Sequence, residues 1–595
     1  MESRPGAAAL RRLLHARTRP ASALLALAAL GWTMTLLPAG CGDGDAPASA
    51  SSGSASAWTG DPVVSTRYGA VRGLEDRADT WVWPAIPFAR PPVGALRWKA
   101  PLEPESWEGV RETHRFASAC TQYLPVGDGL IGCEDCLYLN VWRPRTGERK
   151  LPVYFWIHGG GNCVGSAVVA DDYNGANLAD RSNLVVVSMN YRLGPMGWLT
   201  HPALRSGAPG GELDDSGNYG TLDLIRALTW VRDNIQAFGG DPERVMIVGE
   251  SAGAINVLSL LVSPPAAGLF HKAMAESGGP FTSSVEEGEQ GAHDLILRLL
   301  IRDGLATDTA EAEARLRGMS PAEIESYLRS KTEDEIMRGY EAVAFGMLDL
   351  PYLFEDGVVL PREGFQALET GAYPNKVPVI VGSNKEELKL FLFADPFFEG
   401  KDDLYQVVAY YGSDTWKAFG VDEIARSLRS NADQPEVRAY QFLWGAGGET
   451  GESELPDPWG FRLGCFHALE VPFFFGNESL FGFLQLLLFT EENRPGREAL
   501  TSAMMRYVAR FAHTGDPNDE SSGLPEWAPW SNEEGGPKCI LFDVDESQQI
   551  DVRMSAVELT QSGVRERMGA EVPEPLYSQA VDYLEGFWLG SAPGQ

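Results

Sequence analysis

Basic residues are scarce in this chain of 595 residues: 49 lysines and arginines stand against 82 aspartates and glutamates, which gives a formal charge of -33. A field of that sign repels phosphate backbones and helps to keep a protein in solution. The charge balance therefore predicts that the protein has no nucleic-acid partner.

Cysteine is also rare, with seven residues. Cys133 and Cys136 form a CxxC pair, but no second cysteine or histidine pair follows at the spacing of a zinc site. We therefore expect no metal and no other cofactor. Cys120 could close a short disulfide loop with either Cys133 or Cys136. Three other cysteines have glycine, aromatic or aliphatic neighbours and are predicted to be buried thiols: Cys163, Cys465 and Cys539.

Long apolar runs are absent except at the N-terminus, where several arginines precede an uncharged run from Ala21 to Leu37. This pattern predicts an export signal over residues 1–40. The following "LLPAGC" resembles a bacterial lipoprotein box, in which Cys41 becomes the lipid-bearing first residue, although Pro38 departs from that box. An ordinary cleaved signal and an uncleaved anchor are the alternatives. The expected location is the periplasmic or extracellular side of a membrane, or the secreted fraction.

The next segment, residues 41–60, has almost no large apolar side chains and is predicted to be a flexible tether. The remaining residues, 61–595, are predicted to form one folded domain. The only membrane contact expected is through the N-terminal lipid or anchor, and the sequence does not indicate an oligomeric state.

Short, continuous apolar runs alternate with amphipathic stretches after the tether, which is typical of a mostly parallel sheet flanked by helices. Such runs occur at 152–159, 183–192, 244–251, 272–279 and 377–384. The charged stretches at 285–345 and 401–435 predict helical insertions above the sheet. The predicted fold class is therefore α/β.

Ser251 lies in "GESAG", between the apolar "VMIV" and the helix-like "AINVLSLL". Glycines on both sides of a serine allow the sharp strand-to-helix turn that exposes a nucleophilic hydroxyl. The alternative is a tight connection in which the serine is only a small residue.

A nucleophilic serine needs a histidine as its base, and hydrolases with a serine at such a turn have the chain order serine, acid, histidine. This order excludes most of the eight histidines as candidates. His467 and His513 remain, because the others precede Ser251 or follow it too closely for an acid-bearing strand to intervene. His513 lies at the predicted end of a helix, where its positive charge would favour the helix dipole. Two adjacent acids, Glu386 and Glu387, follow the strand "VPVIV", and the pattern alone does not choose between them.

A glycine-rich turn could supply the third element of such a site. The strand "VYFWI" ends in "HGGG", whose N–H groups could stabilise an oxyanion together with the N–H of Ala252. The alternative interpretation is a simple glycine turn.

Several further segments occur in the order found in the type-B carboxylesterase and cholinesterase-like family of α/β-hydrolases, which the chain resembles from about Val63 onward. They include "IPFARPPVGALRW", "EDCLYLNVW", "NYRLGPMGWL", "GGDPERVMIVGESAGA", "GSNKEE" and "GCFHALEVPFFFG". The resemblance implies an α/β-hydrolase fold with helical insertions over the active site. It also implies a small-molecule ester as the substrate.

The resemblance implies a role for each matching residue. Ser251 would be the nucleophile, Glu387 the acid and His467 the base. Gly160, Gly161 and Ala252 would form the oxyanion hole, with Glu250 and Ser277 close to the triad. Cys120 and Cys136 would form the first disulfide. Arg97 with Glu134 and Arg192 with Asp223 would form structural ion pairs.

The segment between the first cysteines, which carries a choline-binding tryptophan in cholinesterases, contains Tyr123 and no tryptophan, so choline esters are not the expected substrates. The predicted activity is serine carboxylic-ester hydrolysis through an acyl-enzyme. Two alternatives are a catalytically silent adhesion or binding protein on the same fold, and an amide or lactone hydrolase.

Overall fold

The computed structural model describes residues 57–124, 129–168, 171–447 and 453–588. The predicted export signal and Cys41 lie outside these residues. Within them, no helix has both the length and the apolar character needed to cross a bilayer.

A sheet of eleven strands organises the described chain, in the order β16-β15-β14-β13-β12-β11-β9-β10-β8-β4-β3. The strands are β1 (Val63–Ser65), β2 (Ala70–Arg72), β3 (Leu74–Asp76), β4 (Thr80–Pro87), β5 (Val110–Glu112), β6 (Gln122–Tyr123), β7 (Leu130–Ile131), β8 (Tyr138–Pro144), β9 (Leu151–Ile157), β10 (Val185–Met189), β11 (Gly240–Glu250), β12 (Lys272–Glu276), β13 (Val379–Asn384), β14 (Val437–Phe442), β15 (Cys539–Val544) and β16 (Ile550–Ser555).

The seven neighbouring strands from β10 to β15 are parallel, and the strands on both sides of them are antiparallel. The five apolar runs in the sequence correspond to β9, β10, β11, β12 and β13. Every residue of β9, β10, β12 and β13 is buried, as expected for parallel strands that are covered on both faces. The predicted α/β-hydrolase fold is confirmed.

Eighteen α-helices surround this sheet in the described residues. They are α1 (Ala176–Ser182), α2 (Gly194–Gly197), α3 (Tyr219–Asn234), α4 (Ala252–Val262), α5 (Val285–Arg302), α6 (Thr309–Arg317), α7 (Pro321–Arg329), α8 (Glu333–Met337), α9 (Gln366–Thr370), α10 (Lys389–Leu392), α11 (Asp402–Lys417), α12 (Glu423–Arg429), α13 (Trp459–Arg462), α14 (Val471–Phe475), α15 (Gln485–Leu488), α16 (Arg494–Thr514), α17 (Gln561–Glu571) and α18 (Leu576–Trp588).

The two charged stretches of the sequence are helical, as predicted. Helices α5 to α8 lie in the connection between β12 and β13, and helices α11 and α12 lie between β13 and β14. Local sequence fixes the starts of several of them. Ser284, Ser320 and Thr332 each form a capping box with a glutamate three residues later, which satisfies N–H groups that the first helical turn leaves open.

Covalent and ionic links fasten the loops beside the sheet. A disulfide joins Cys120 to Cys136, and Cys133 is buried next to it, with its thiol donating to the carbonyl of Asp135. The two ion pairs that the resemblance implied are present: Arg97 binds Glu134 through two hydrogen bonds, and Arg192 does the same with Asp223.

The folded part begins earlier than the sequence predicted. Trp58 falls inside the predicted tether, yet it is 1% exposed. Its ring lies under the guanidinium of Arg143, at 4.1 Å from the ring centre, and its Nε1–H donates to the carbonyl of Thr146. A single tryptophan among small polar residues gave no periodic signal, and Arg143 and Thr146, which contact its ring and its Nε1–H, lie 85 and 88 positions further along the chain.

We expect replacement of Trp58 by alanine to destabilise the fold. The change removes a buried ring and uncovers a guanidinium whose hydrogen bonds run to backbone carbonyls and Thr146, a loss of about 3 kcal/mol in unfolding free energy. Trp58→Phe, which keeps a ring, should lose about 1 kcal/mol. Urea unfolding of both variants measures the difference, and equal midpoints for Trp58→Ala and the parent protein would contradict the docking role.

Candidate functional site

Ser251 occupies the turn between the carboxyl end of β11 and the first residue of α4. Its backbone has φ 59° and ψ −124°, a region that non-glycine residues seldom adopt. The N–H of Ser251 donates to the carbonyl of Glu276 at 2.8 Å, which fixes the turn to the end of the neighbouring strand β12. The strand–serine–helix context that the sequence predicted is therefore present.

Two positions beside the serine turn have no room for a side chain, and both are occupied by glycine. A Cβ atom on Gly253 would lie 2.1 Å from the carbonyl oxygen of Ile157, at the end of β9. A Cβ on Gly160, where φ is +105°, would lie 2.2 Å from the carbonyl oxygen of Val164. The glycine turn and the serine turn thus come together at the carboxyl ends of β9 and β11, where ligands bind in open α/β sheets.

The N–H groups of Gly160 and Gly161 have no hydrogen-bond acceptor among the residues that the structure describes. The N–H of Ala252, as the first residue of α4, is likewise outside the helical ladder. These are the three donors that the family resemblance implied. Ala252 directly follows Ser251, and Gly159, next to Gly160, approaches Ser251 so closely that a Cβ on it would lie 3.0 Å from Cβ of the serine. Such donors can stabilise a negative oxygen.

His467 and Glu387 are brought together by the loops that follow β13 and precede α14. Nδ1 of His467 lies 2.6 Å from Oε2 of Glu387, and Oε1 of the same carboxylate accepts the N–H of Asn384 at 2.6 Å. Both side chains are at most 5% exposed. The carboxylate is thus fixed on one side by the backbone and on the other by the imidazole.

The neighbouring Glu386 points elsewhere. Its carboxylate accepts the N–H of Cys465 at 2.9 Å and pairs with the ammonium of Lys389 at 2.7 Å. Glu386 therefore fastens the loop that carries His467. Of the two adjacent glutamates, Glu387 is the one that contacts His467 in the structure.

Glu250 lies on the other side of the imidazole. Its Oε1 is 2.9 Å from Nε2 of His467, a charge contact without the alignment of a hydrogen bond. Burial opposes the charged ring, but the charges of Glu250 and Glu387 together outweigh burial and hold the pKa of His467 well above its usual value. The rings of Trp416 and Phe391 cover the imidazole, with centroids 5.0 and 5.3 Å away.

Two further buried carboxylates near His467 did not emerge from the sequence reasoning. Glu470 accepts hydrogen bonds from Ser277 and from the side chain of Asn384, so the hydroxyl of Ser277 contacts Glu470 rather than Glu387. Burial and the charges of Glu250 and Glu387 raise the pKa of Glu470. The signal available in the sequence was its position three residues after His467, at the start of α14.

Glu276, at the carboxyl end of β12, is the second of these acids. Its side chain is fully buried, and neither carboxylate oxygen has a hydrogen-bond partner among the described residues. Burial first, and then the charges of Glu470 and Glu250, raise its pKa well above the usual range. A carboxylic acid in this environment is favoured in its neutral form.

Two asparagines fasten the glycine turn to the helix behind the serine. The side-chain amide of Asn256, on α4, donates to Oδ1 of Asn162 at 2.9 Å, and both residues are at most 1% exposed. The hydroxyl of Tyr191 donates to the carbonyl of His158, which directly precedes the glycines. Asparagine carries no periodic signal, so the sequence did not single out this network.

His513, the other candidate base, forms its hydrogen bond with a residue outside the site. Nε2 of His513, in the last turn of α16, lies 3.1 Å from the carbonyl of Ser182, which ends α1.

A cleft of about 1150 Å³ is separate from the triad candidates, since its lining contains none of Ser251, Glu387 and His467. We take the serine turn as the candidate site, because Glu250, which directly precedes Ser251, lies 2.9 Å from Nε2 of His467.

Comparison with known proteins identifies the family of this chain. The sequence profile described as the carboxylesterase family matches residues 60–406. The chain is 32% identical over 482 residues to para-nitrobenzyl esterase of Bacillus subtilis (strain 168), which covers 78% of this chain and 92% of that protein. It is 31% identical to liver carboxylesterase 1 of Oryctolagus cuniculus, with 81% and 90% covered.

Fumonisin B1 esterase of Sphingopyxis macrogoltabida is 37% identical over 395 residues, which are 65% of this chain and 67% of that protein. Among solved structures, a para-nitrobenzyl esterase superimposes with a TM-score of 0.65 at 28% identity, covering 86% of this chain and 99% of that one. A carboxylesterase of Geobacillus stearothermophilus gives 0.65 at 31% identity, covering 83% and 98%. From this likeness in sequence and fold, the chain belongs to the carboxylesterase family and is a carboxylic ester hydrolase.

Proposed function

We propose that the protein hydrolyses small-molecule carboxylic esters with Ser251 as nucleophile, His467 as general base and Glu387 as the acid that orients the imidazole. The observation that carries the proposal is the 2.6 Å contact between Nδ1 of His467 and Glu387. This contact supports a tautomer with the proton on Nδ1 and a lone pair on Nε2. Nε2 faces Glu250, which directly precedes Ser251 in the chain.

The reaction proceeds in two symmetrical steps. As the Ser251 hydroxyl oxygen attacks the ester carbonyl carbon, its proton passes to Nε2 of His467, and the carbonyl oxygen becomes an oxyanion. The N–H groups of Gly160, Gly161 and Ala252 bind that oxygen. Collapse breaks the bond to the alcohol oxygen, which takes the proton from Nε2. Water then attacks the acyl-enzyme by the same route and releases the carboxylic acid.

The name of one relative suggests substrates for a first assay. That protein is a para-nitrobenzyl esterase, so activated nitrobenzyl and nitrophenyl esters are suitable first substrates. The same triad can cleave amides, but the leaving nitrogen must be protonated before the C–N bond breaks. Turnover of short-chain nitrophenyl esters should therefore greatly exceed that of the matching anilides, and comparable turnover of both would favour an amide hydrolase.

Glu250→Gln should move the acid limb of the pH profile. Because the Glu250 carboxylate stabilises the imidazolium of His467, its removal lowers the pKa of the histidine, and the neutral base then forms at lower pH. We expect the acid limb of kcat/KM to shift downward by about one pH unit. Glu386→Gln is the matched control, since Glu386 bonds to Cys465 and Lys389 and not to the imidazole; an unchanged profile for Glu250→Gln would contradict the assignment.

We also propose that the mature protein is an exported lipoprotein that begins at Cys41. The arginines before the apolar run and the "LLPAGC" box support this location. Mass spectrometry of the mature N-terminus should find an acylated Cys41. An unmodified alanine or serine at the N-terminus would refute lipidation.

A further inference from the structure

Trp58 lies at the start of the described chain, and its contacts show where that end lies on the molecule. Its backbone N–H donates to the carbonyl of Gln236, and its Nε1–H donates to that of Thr146. Gln236 precedes β11, and Thr146 lies between the end of β8 and the start of β9. Because β8 runs antiparallel to its neighbour β10, both positions belong to the edge of the sheet at which the parallel strands begin.

The catalytic residues lie at the opposite edge. Ser251 follows the last residue of β11, the glycine turn follows the last residue of β9, and Glu387 follows β13. Strand β9 runs from Leu151 to Ile157, and at the usual rise per residue it separates the two edges by about 20 Å. The buried Trp58 and the reacting serine are therefore on opposite sides of the molecule.

We infer that a membrane anchor at the N-terminus holds this enzyme with its active site directed away from the bilayer. The substrates would then be esters dissolved in the aqueous phase, and not esters that reside in the enzyme's own membrane. The inference rests on the proposed anchoring of the N-terminus through a lipid on Cys41.

The length of the connecting segment supports this orientation. Cys41 and Trp58 are 17 positions apart in the sequence, so the segment spans at most about 60 Å. A compact domain of this size has a radius of about 31 Å. If the active site faced the bilayer, Trp58 would be on the far side of the domain. The connection from Trp58 to the membrane would then follow the surface for a quarter of the circumference and continue for one radius, about 80 Å in all. The net charge of -33 also opposes close contact with an anionic surface.

The other end of the described chain offers a matched control. Helix α18 ends at Trp588, and the ring of Phe587 lies 6.0 Å from that of Phe391, which in turn lies 5.3 Å from the ring of His467. The C-terminal helix therefore ends beside the catalytic histidine. An anchor attached there would direct the site toward the membrane.

The test uses the mature protein from Cys41 onward, coupled through that thiol to a maleimide lipid in phosphatidylcholine vesicles. The coupling is selective because the cysteines outside the disulfide are buried in the described part: Cys133, Cys163, Cys465 and Cys539. The control carries Cys41→Ser and a cysteine added after Gln595, behind a Gly/Ser linker that equalises the two connections. Both forms are given nitrophenyl butyrate in water, and the same ester joined to a lipid headgroup in the same vesicle.

We expect equal turnover of the dissolved ester by the two forms, and turnover of the lipid-held ester that is about tenfold lower for the N-terminally anchored form, because its linker cannot span to the substrate. Equal turnover of the lipid-held ester by both forms would overturn the inference, and so would a native N-terminus without any anchor. Absence of turnover of the dissolved ester by both forms would instead overturn the proposed chemistry.

Discussion

Ser251→Ala should remove nearly all hydrolytic activity while leaving the fold intact. The hydroxyl is the only group at the turn that can form the acyl-enzyme in this account, and loss of a triad nucleophile lowers kcat by about 10⁴- to 10⁶-fold. Ser251 is half-buried and carries the strained turn through its backbone, so a smaller side chain should not disturb the neighbouring strands. Steady-state kinetics with a nitrophenyl ester measure the loss.

The loss should appear in kcat and not in KM, because oxyanion donors and pocket walls remain. An unchanged Tm separates loss of chemistry from loss of structure. Ser277→Ala provides a serine control, since its hydroxyl contacts Glu470 and not the imidazole, and it should retain most of its activity. If Ser251→Ala kept more than a few per cent of the parent rate, the nucleophile would have to be sought elsewhere.

Glu387→Gln should reduce kcat by about 10³- to 10⁴-fold, through the tautomer of His467. The amide can still accept the N–H of Asn384 through its oxygen, which turns its NH₂ group toward Nδ1 of the histidine. The imidazole must then accept at Nδ1 and carry its proton on Nε2. In that tautomer His467 has no lone pair for the proton of Ser251.

The adjacent residue Glu386 provides a matched control for the Glu387→Gln variant. Glu386→Gln removes a charge of the same kind, at the next position and in the same loop, but it acts on Cys465 and on the buried ammonium of Lys389. We expect this variant to lower Tm, because the partner cation is left unpaired, and to keep kcat within a few-fold. Equal losses of kcat in the two variants would contradict the assignment of Glu387 as the acid.

The parts of this protein that the sequence predicted well are those in which a local pattern has one structural solution. Continuous apolar runs became buried parallel strands, and "GESAG" between a strand and a helix became the strained turn at Ser251. Elimination by chain order left His467 and His513, and the structure places only the first beside a buried carboxylate. The choice between Glu386 and Glu387 needed the family resemblance, because both follow the same strand.

The features that the sequence did not predict depend on contacts between distant positions. Glu470 and Glu276 each look like ordinary charged residues until the fold buries them beside Glu250 and Glu387. Asn162 and Asn256 are 94 positions apart and meet only because β9 and β11 are neighbours. Trp58 lies in a polar segment, and its burial depends on Arg143 and on the turn before β11.

The carboxylates around His467 offset the effect of burial on its ring. In the proposed mechanism an imidazolium forms during each step, and the charges of Glu250 and Glu387 would stabilise it. Burial and the charges of Glu250 and Glu387 raise the pKa of Glu470, and burial with the charges of Glu470 and Glu250 raises the pKa of Glu276. Both groups are therefore favoured as neutral acids. The site can therefore place four acidic side chains near one histidine without four adjacent negative charges.

Mapping of a covalent fluorophosphonate adduct tests the central claim most directly. The reagent is attacked by an activated serine and remains attached, so digestion and mass spectrometry identify the residue that reacted. We predict a single adduct on the peptide that contains Ser251, formed more slowly when Glu387 is replaced by glutamine. An adduct on any other residue, or ester hydrolysis that continues while Ser251 remains unlabelled, would contradict the account.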